Sequence, residues 1–223
     1  FGSSAWPKRC PSGGSCRTMS GGSITEFGSL VLLIGDYHTP QRKGDVPACF
    51  KELLQTDKIG MVLCTGNVGS KSTVAQLQSI AGEDCKIVAG DADYGTDFPE
   101  TIVTKVGDFS VGVAHGHQII PWGDQTSLAK WAGRLGVDIL VSGHTHRHGI
   151  VSVAGKFLVN PGSATGACNA LGEFDITPSF MLMAVQGSNV VLYTYEENNG
   201  EAKVSVNELK KDSEGKIAVV GSS

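Results

Sequence analysis

Three short apolar runs, each closed by a polar cluster and separated from the next by a helix-length span, constrain this chain more than any other feature. Leu30-Val-Leu-Leu-Ile34 leads into Gly35-Asp-Tyr-His-Thr-Pro40, Ile59 to Cys64 into Thr65-Gly-Asn-Val-Gly69, and Cys85 to Ala89 into Gly90-Asp-Ala-Asp93. Near-continuous apolar runs of this length suit strands covered on both faces. Between them, Pro47 to Gln55 predicts a helix with Pro in its first turn and Phe50, Leu53 and Leu54 on one side. Lys71 to Ala81 predicts a second helix, with Val74, Leu77, Gln78 and Ile80 toward the interior. Strand, helix, strand, helix, strand at this spacing requires right-handed crossovers and a parallel sheet.

The rhythm then changes. Thr101 to Val106 and Phe109 to Ala114 predict a hairpin across Gly107-Asp108, the second strand running into His115-Gly-His117. Asp124 to Leu135 predicts a helix with Asp124 as N-cap and Leu128, Trp131 and Leu135 at helical spacing. Val137 to Val141 is a further buried strand, ending in Ser142-Gly-His-Thr-His146. Ile150 to Val153 with Phe157 to Val159, and Phe180 to Val185 with Val190 to Tyr195, read as two more hairpins, and Val204 to Leu209 as a last strand. The expected fold is α/β, two mixed sheets packed together with helices outside, in one domain over residues 30–212, with a charged tail over 213–223.

Composition excludes several classes. A net charge of −4 offers no basic excess for phosphate backbones, so nucleic-acid binding is not expected. No apolar run reaches the roughly 18 residues of a membrane span, which argues against direct membrane insertion. Six cysteines are spaced as small core residues: Cys64 and Cys85 lie in or beside strands and Cys49 on a helix, which fits a reducing compartment. Residues 1–29 show neither helical nor strand period, lack the apolar core of a signal peptide, and read as a leader or cloning-derived segment upstream of a start at Met19. Their Cys10 and Cys16 are too weak a pattern to define a metal or redox pair.

The polar clusters matter most for function. Asp36 and His38, Asn67, Asp91 and Asp93, His115 and His117, and His144 and His146 all fall just past the ends of predicted strands. In open α/β sheets, ligands bind outside the carboxyl ends of the strands. Asp, Asn and His side chains in that number suit two divalent cations of the kind hydrolytic phosphoryl enzymes use. Asp36, His38, Asn67, Asp91, His115, His144 and His146 are the expected metal ligands. His148 reads as a solvated loop residue.

Gly35-Asp-x-His38, Gly66-Asn67, Gly90-Asp-Ala-Asp93, His115 and Gly143-His-x-His146 resemble the motif series of metallophosphoesterases, in order and spacing, from Leu30 to about Lys210. The resemblance implies a four-layer sandwich. It also exposes two departures. The family places an Asp that bridges both metals where this chain has Asn67, and a proton-donating His where this chain has Ala92. Losing a general acid costs on the order of 100- to 10,000-fold in rate. The resemblance therefore implies a pseudo-phosphoesterase with no catalytic residues and a weak or vestigial divalent cation, zinc or manganese. Thr65-Gly-Asn, His115-Gly-His-Gln-Ile-Ile-Pro-Trp-Gly-Asp124, Asn160-Pro-Gly-Ser-Ala-Thr-Gly-Ala167 and Pro178-Ser-Phe-Met-Leu-Met183 further resemble the small metallophosphoesterase-fold subunits of retromer, the endosomal sorting coat. That family implies a scaffold, cytoplasmic and peripheral on endosomal membranes, whose former active-site edge docks a helical-solenoid subunit. The alternative is a metal-dependent phosphodiesterase with weak activity on activated diesters.

Two partner surfaces are expected. Ile119-Ile-Pro-Trp122 follows directly on His117; Ile120 is the expected exposed anchor, while Ile119 and Trp122 fit either core or rim. The strand Phe180 to Val185 is apolar on both faces and no later helix covers the outer one. An exposed apolar patch including Leu182 and Tyr195 is therefore expected there, and the family resemblance assigns it to regulatory proteins.

Overall fold

The computed structural model describes residues 30–211 and 217–222; the expected leader over residues 1–29, with Cys10 and Cys16, lies outside them. In chain order the elements are β1 (Leu30–Ile34), α1 (Ala48–Leu54), β2 (Ile59–Cys64), α2 (Lys71–Ala81), β3 (Cys85–Ile87), β4 (Thr101–Val106), β5 (Phe109–Ala114), α3 (Gln125–Leu135), β6 (Ile139–Ser142), β7 (Gly149–Val153), β8 (Lys156–Asn160), β9 (Ser179–Gln186), β10 (Asn189–Asn198), β11 (Glu201–Lys211) and β12 (Ile217–Ser222). One sheet has the order β12-β11-β10-β9-β1-β2-β3 and the other β4-β5-β6-β8-β7. Both are mixed. β1, β2 and β3 pair parallel, as do β5, β6 and β8, while the remaining ladders are antiparallel.

Alternation along the strands builds the layers. Val31 and Leu33 of β1, Met181 and Met183 of β9, Ile139 and Val141 of β6, and Phe157 and Val159 of β8 form the core between the sheets. Their neighbours Leu32, Ile34, Phe180 and Leu182 turn to the outer face of the first sheet and pack with Phe50 of α1 and Leu77 of α2. Leu140 and Leu158 turn to the outer face of the second, under Leu128, Ala129 and Ala132 of α3. The result is the expected four layers, helices outside two sheets.

The helices begin as their sequences dictate. Ser70 caps α2 by accepting from the Thr73 backbone N–H, and Asp124 caps α3 by accepting from Ser127, with Gly136 in the left-handed conformation at its end. Gln78, expected on the inner side of α2, is exposed, and Thr73 takes an inner position instead. The charged tail expected past residue 212 is also corrected. Ile217–Ser222 is a strand, antiparallel to β11 at the edge of the first sheet.

The expected exposed patch on the late hairpin is overturned as well. Leu182 is 4% and Tyr195 6% exposed. The cover is an earlier helix. Phe50 of α1 meets Phe180 edge-on at 4.8 Å, and Phe180 stacks on Tyr195 at 4.8 Å. What stays accessible beside them is half-buried Tyr193, paired with Leu182, and exposed Val204, paired with Tyr195.

Candidate metal centre

Parallel pairing brings the ends of β1, β2 and β3 to one edge and those of β5 and β6 to another, and the ligands close the space between them. Asp36, His38 and His146 form one cluster; Asp91, His115 and His144 form the second. In the first, His38 Nε2 and His146 Nε2 lie 3.2 Å apart, and His146 Nε2 is 3.5 Å from Asp36 Oδ1. In the second, Asp91 Oδ1 is 2.9 Å from His115 Nε2 and 3.5 Å from His144 Nδ1. Each cluster takes ligands from both sheets.

The backbone at the site is unusual. Among the described residues seven non-glycine residues have positive φ, and five of them are Asp36, His38, Asn67, His144 and His146. Left-handed conformations of such residues persist only where surrounding bonds impose them. Here the bonds are visible. Asp36 N–H donates to Gly66 O and His38 N–H to Asn67 O, both at 2.9 Å, and Asp36 Oδ2 accepts from His144 N–H at 2.8 Å. Gly143 is required for space at the site. Its φ is not in the left-handed region, but a Cβ there would lie 2.6 Å from Asp36 Oδ2 and 2.7 Å from Thr65 Oγ1. A Cβ on Gly90 would likewise collide with the Asn67 amide. These glycines admit close approach rather than a turn.

Supporting bonds set which nitrogen faces inward. A backbone carbonyl only accepts, so His115 Nδ1 donates to Thr65 O and His146 Nδ1 to Ala167 O, each at 2.7 Å. In the neutral ring this leaves the Nε2 lone pair toward the cluster, the arrangement of a metal-ligating histidine. Ser163 Oγ donates to Asp36 O and Thr165 Oγ1 to Tyr37 O, so the Asn160–Ala167 segment buttresses the first loop. Asp93 is no ligand. Its carboxylate accepts from the backbone N–H groups of Asn67, Val68 and Gly90, holding the second and third loops together. Sequence reasoning missed Thr65, Ser163, Thr165 and Ala167, because all four act through backbone carbonyl or hydroxyl groups that no ligand pattern marks. His148 stands apart as an exposed residue, 3.6 Å from Glu196.

Asn67 requires a correction. Its Oδ1 accepts from the Ala92 backbone N–H at 2.8 Å, which fixes the amide orientation. Its NH2 therefore faces inward, 2.8 Å from Asp91 Oδ1, 3.0 Å from His115 Nε2 and 3.2 Å from His38 Nε2. A donor, not a ligand oxygen, stands where the two clusters meet.

The remaining six residues fit divalent cations. Asp36 Oδ1 is buried with no hydrogen-bond partner and faces the nitrogens of its cluster. Two imidazoles and a carboxylate per cluster suit zinc or manganese. Burial opposes ionisation of Asp36, but His115, then His146 and His38, outweigh it and hold the carboxyl below its usual value. Hydrogen bonds from His115 and His144 hold Asp91 far below the carboxylate range. Burial pushes His38 down to about 4, whereas for His115 and His146 the effect of burial is outweighed, chiefly by Asp36, and their values rise. Protons on those two rings and a cation are thus alternative partners for the same carboxylates.

The rim is apolar. Ile119 is buried at 4%, whereas Ile120 is 76% and Trp122 43% exposed. The Trp122 ring stands edge-on to His144 at 4.5 Å, and its indole N–H donates to His117 O. The apolar surface therefore continues directly from the clusters.

The fold and paired clusters define a metallophosphoesterase-type domain, and the pattern of the calcineurin-like phosphoesterase superfamily domain matches residues 30–188. The chain is 37% identical over 185 residues to vacuolar protein sorting-associated protein 29 of Schizosaccharomyces pombe, covering 82% of this chain and 98% of the relative. It is similar to the structure of vacuolar protein sorting 29 from Cryptosporidium parvum, with 47% identity, a TM-score of 0.79, and 83% and 100% of the two chains covered. It is also similar to wild-type Vps29 of Entamoeba histolytica complexed with Zn2+, with 43% identity, a TM-score of 0.75, and 80% and 98% covered. The chain belongs to the Vps29 family, the retromer-subunit family that its motifs resemble. No helix among the described residues is long and apolar enough to cross a membrane.

Proposed function

We propose that this chain is a non-catalytic scaffold subunit of the retromer cargo-recognition complex, acting in endosomal protein sorting and retrograde transport. The observation that carries the reading is the pair of replacements at the site. Ala92 has no proton to give a leaving group, and the Asn67 amide presents its NH2 between the clusters. His117 is poorly suited to replace the missing acid: burial, then His115, push its value below the ordinary one, which disfavours the imidazolium form. A bound divalent cation supplies Lewis acidity, and this chain's six ligands would hold it, weakly.

The helical-solenoid subunit docks on the edge presented by Ile120 and Trp122, where exposed apolar side chains adjoin a rigid, hydrogen-bonded ring. Regulatory proteins engage the outer face of β9 to β11, with Leu182 and Tyr195 as its floor and Tyr193 and Val204 as its accessible surface. The protein works in the cytoplasm, held on endosomal membranes through its complex rather than by insertion. The similarity to the S. pombe vacuolar protein sorting-associated protein and the zinc in the E. histolytica relative support this reading.

The two intact ligand clusters favour one second reading, a metal-dependent phosphodiesterase acting weakly on activated diesters. Hydrolysis of aryl and natural phosphodiesters with added manganese, compared between the native chain and His146→Ala, separates the two. Scaffolding predicts negligible turnover of natural diesters; robust turnover that His146→Ala abolishes would overturn it.

A further inference from the structure

We infer that the cavity beside Ile120 receives an Asp or Glu side chain of the docked partner. The inference rests on the docking reading above and adds the chemistry of what docks. A cavity of about 190 Å³ lies against the loop of Gln118, Ile119 and Ile120 and the face of α3 that carries Lys130, Trp131 and Arg134. A cavity of about 150 Å³ holds a benzene ring, so this one takes a side chain. The α3 residues follow helical spacing, with Leu128, Ala129 and Ala132 turned to the core instead.

The wall is one-sided in its chemistry. Trp131 Nε1 and Gln118 Nε2 are buried donors with no acceptor in the protein. The Gln118 amide cannot simply be reversed, because its Oε1 already accepts from the Gly116 backbone N–H at 3.0 Å. Lys130 and Arg134 are exposed and, among the described residues, in no ion pair within 4.0 Å. The carboxylate that Lys130 influences, Asp124, is engaged as the N-cap of the same helix. Two unpaired cations with no carboxylate among the lining residues call for an anionic group. A carboxylate fits them, neutralised by the exposed guanidinium and ammonium. The neighbouring surface says that the anion is carried by a protein. Ile120 is 76% exposed at the cavity mouth, and a small anion would leave it uncovered. An acidic residue followed by an apolar one on a partner helix satisfies both.

The test is the affinity of the purified full chain for the helical-solenoid subunit, by calorimetry at low and physiological salt. Lys130→Glu combined with Arg134→Glu, both exposed and safe for folding, should weaken it about 100-fold and abolish the salt dependence. Reversing the partner's acidic residue to Lys should restore binding to that double variant. If the double variant binds as the native chain does, with unchanged salt dependence, while Ile120→Asp abolishes binding, the inference is wrong and the docking edge stands. If Ile120→Asp also binds normally, the docking edge itself is wrong.

Discussion

Asn67 does at the residue scale what a bridging carboxylate cannot. Its NH2 donates to Asp91 and lies 3.2 Å from His38 Nε2 and 3.0 Å from His115 Nε2, so a hydrogen-bond donor occupies the centre of the site. A carboxylate there would turn the same position into an acceptor. Two charges 4 Å apart interact by about 4 kcal/mol at an effective dielectric near 20, and a divalent cation gains more, less the desolvation that burial exacts. Asn67→Asp should therefore tighten zinc or manganese binding at least about 10-fold in calorimetric titration. Unchanged affinity would mean that the amide already turns its oxygen to the cation. That the six other residues converge was legible in the sequence, because Asp and His after an apolar run is a pattern. The left-handed backbone of Asp36, His38 and His144 was not, since propensity assigns such conformations to glycine. Nor was the Asn67 orientation, which depends on a backbone N–H from Ala92 across the site.

The elements show where reading in chain order fails. The spans from β1 to α3 were legible to within two or three residues, because their apolar periods and caps are local. The double-sided apolar pattern of β9 correctly implies burial, but chain order does not point to α1 as its cover. Strand order places β9 beside β1, so α1, more than a hundred residues earlier, lies over it. Phe50 is the residue that makes this contact, fully buried against Phe180. Phe50→Ala should cost about 3–5 kcal/mol, seen as a lowered midpoint in urea unfolding, with Leu182 and Tyr195 becoming accessible.

A second link joins β11 to the other sheet. Asp138, just before β6, accepts from the Ser110 N–H and from Lys211 Nζ, each at 2.9 Å. Burial raises its carboxyl, but those two bonds outweigh it and hold the value below the ordinary one. A carboxyl depressed on folding stabilises fully above its unfolded value of about 3.9 and ceases to do so as pH falls through the folded value. The stability gap between the native chain and Asp138→Asn should therefore be constant near neutrality and close below about pH 4. A gap that persisted at lower pH would assign the link to packing rather than charge.

Across the whole molecule, the two clusters close the edge where the sheets meet. Each takes ligands from both sheets, so the ring fixes their relative placement and holds the rim of Ile120 and Trp122 rigid beside it. A ring without its acid, bordered by exposed apolar side chains, is better suited to hold a shape for a partner than to turn over a substrate. The measurement that tests this most directly is calorimetric binding of Ile120→Asp to the helical-solenoid subunit, with circular dichroism to confirm folding. The account predicts a folded variant whose binding is lost. Native affinity in that variant would contradict it.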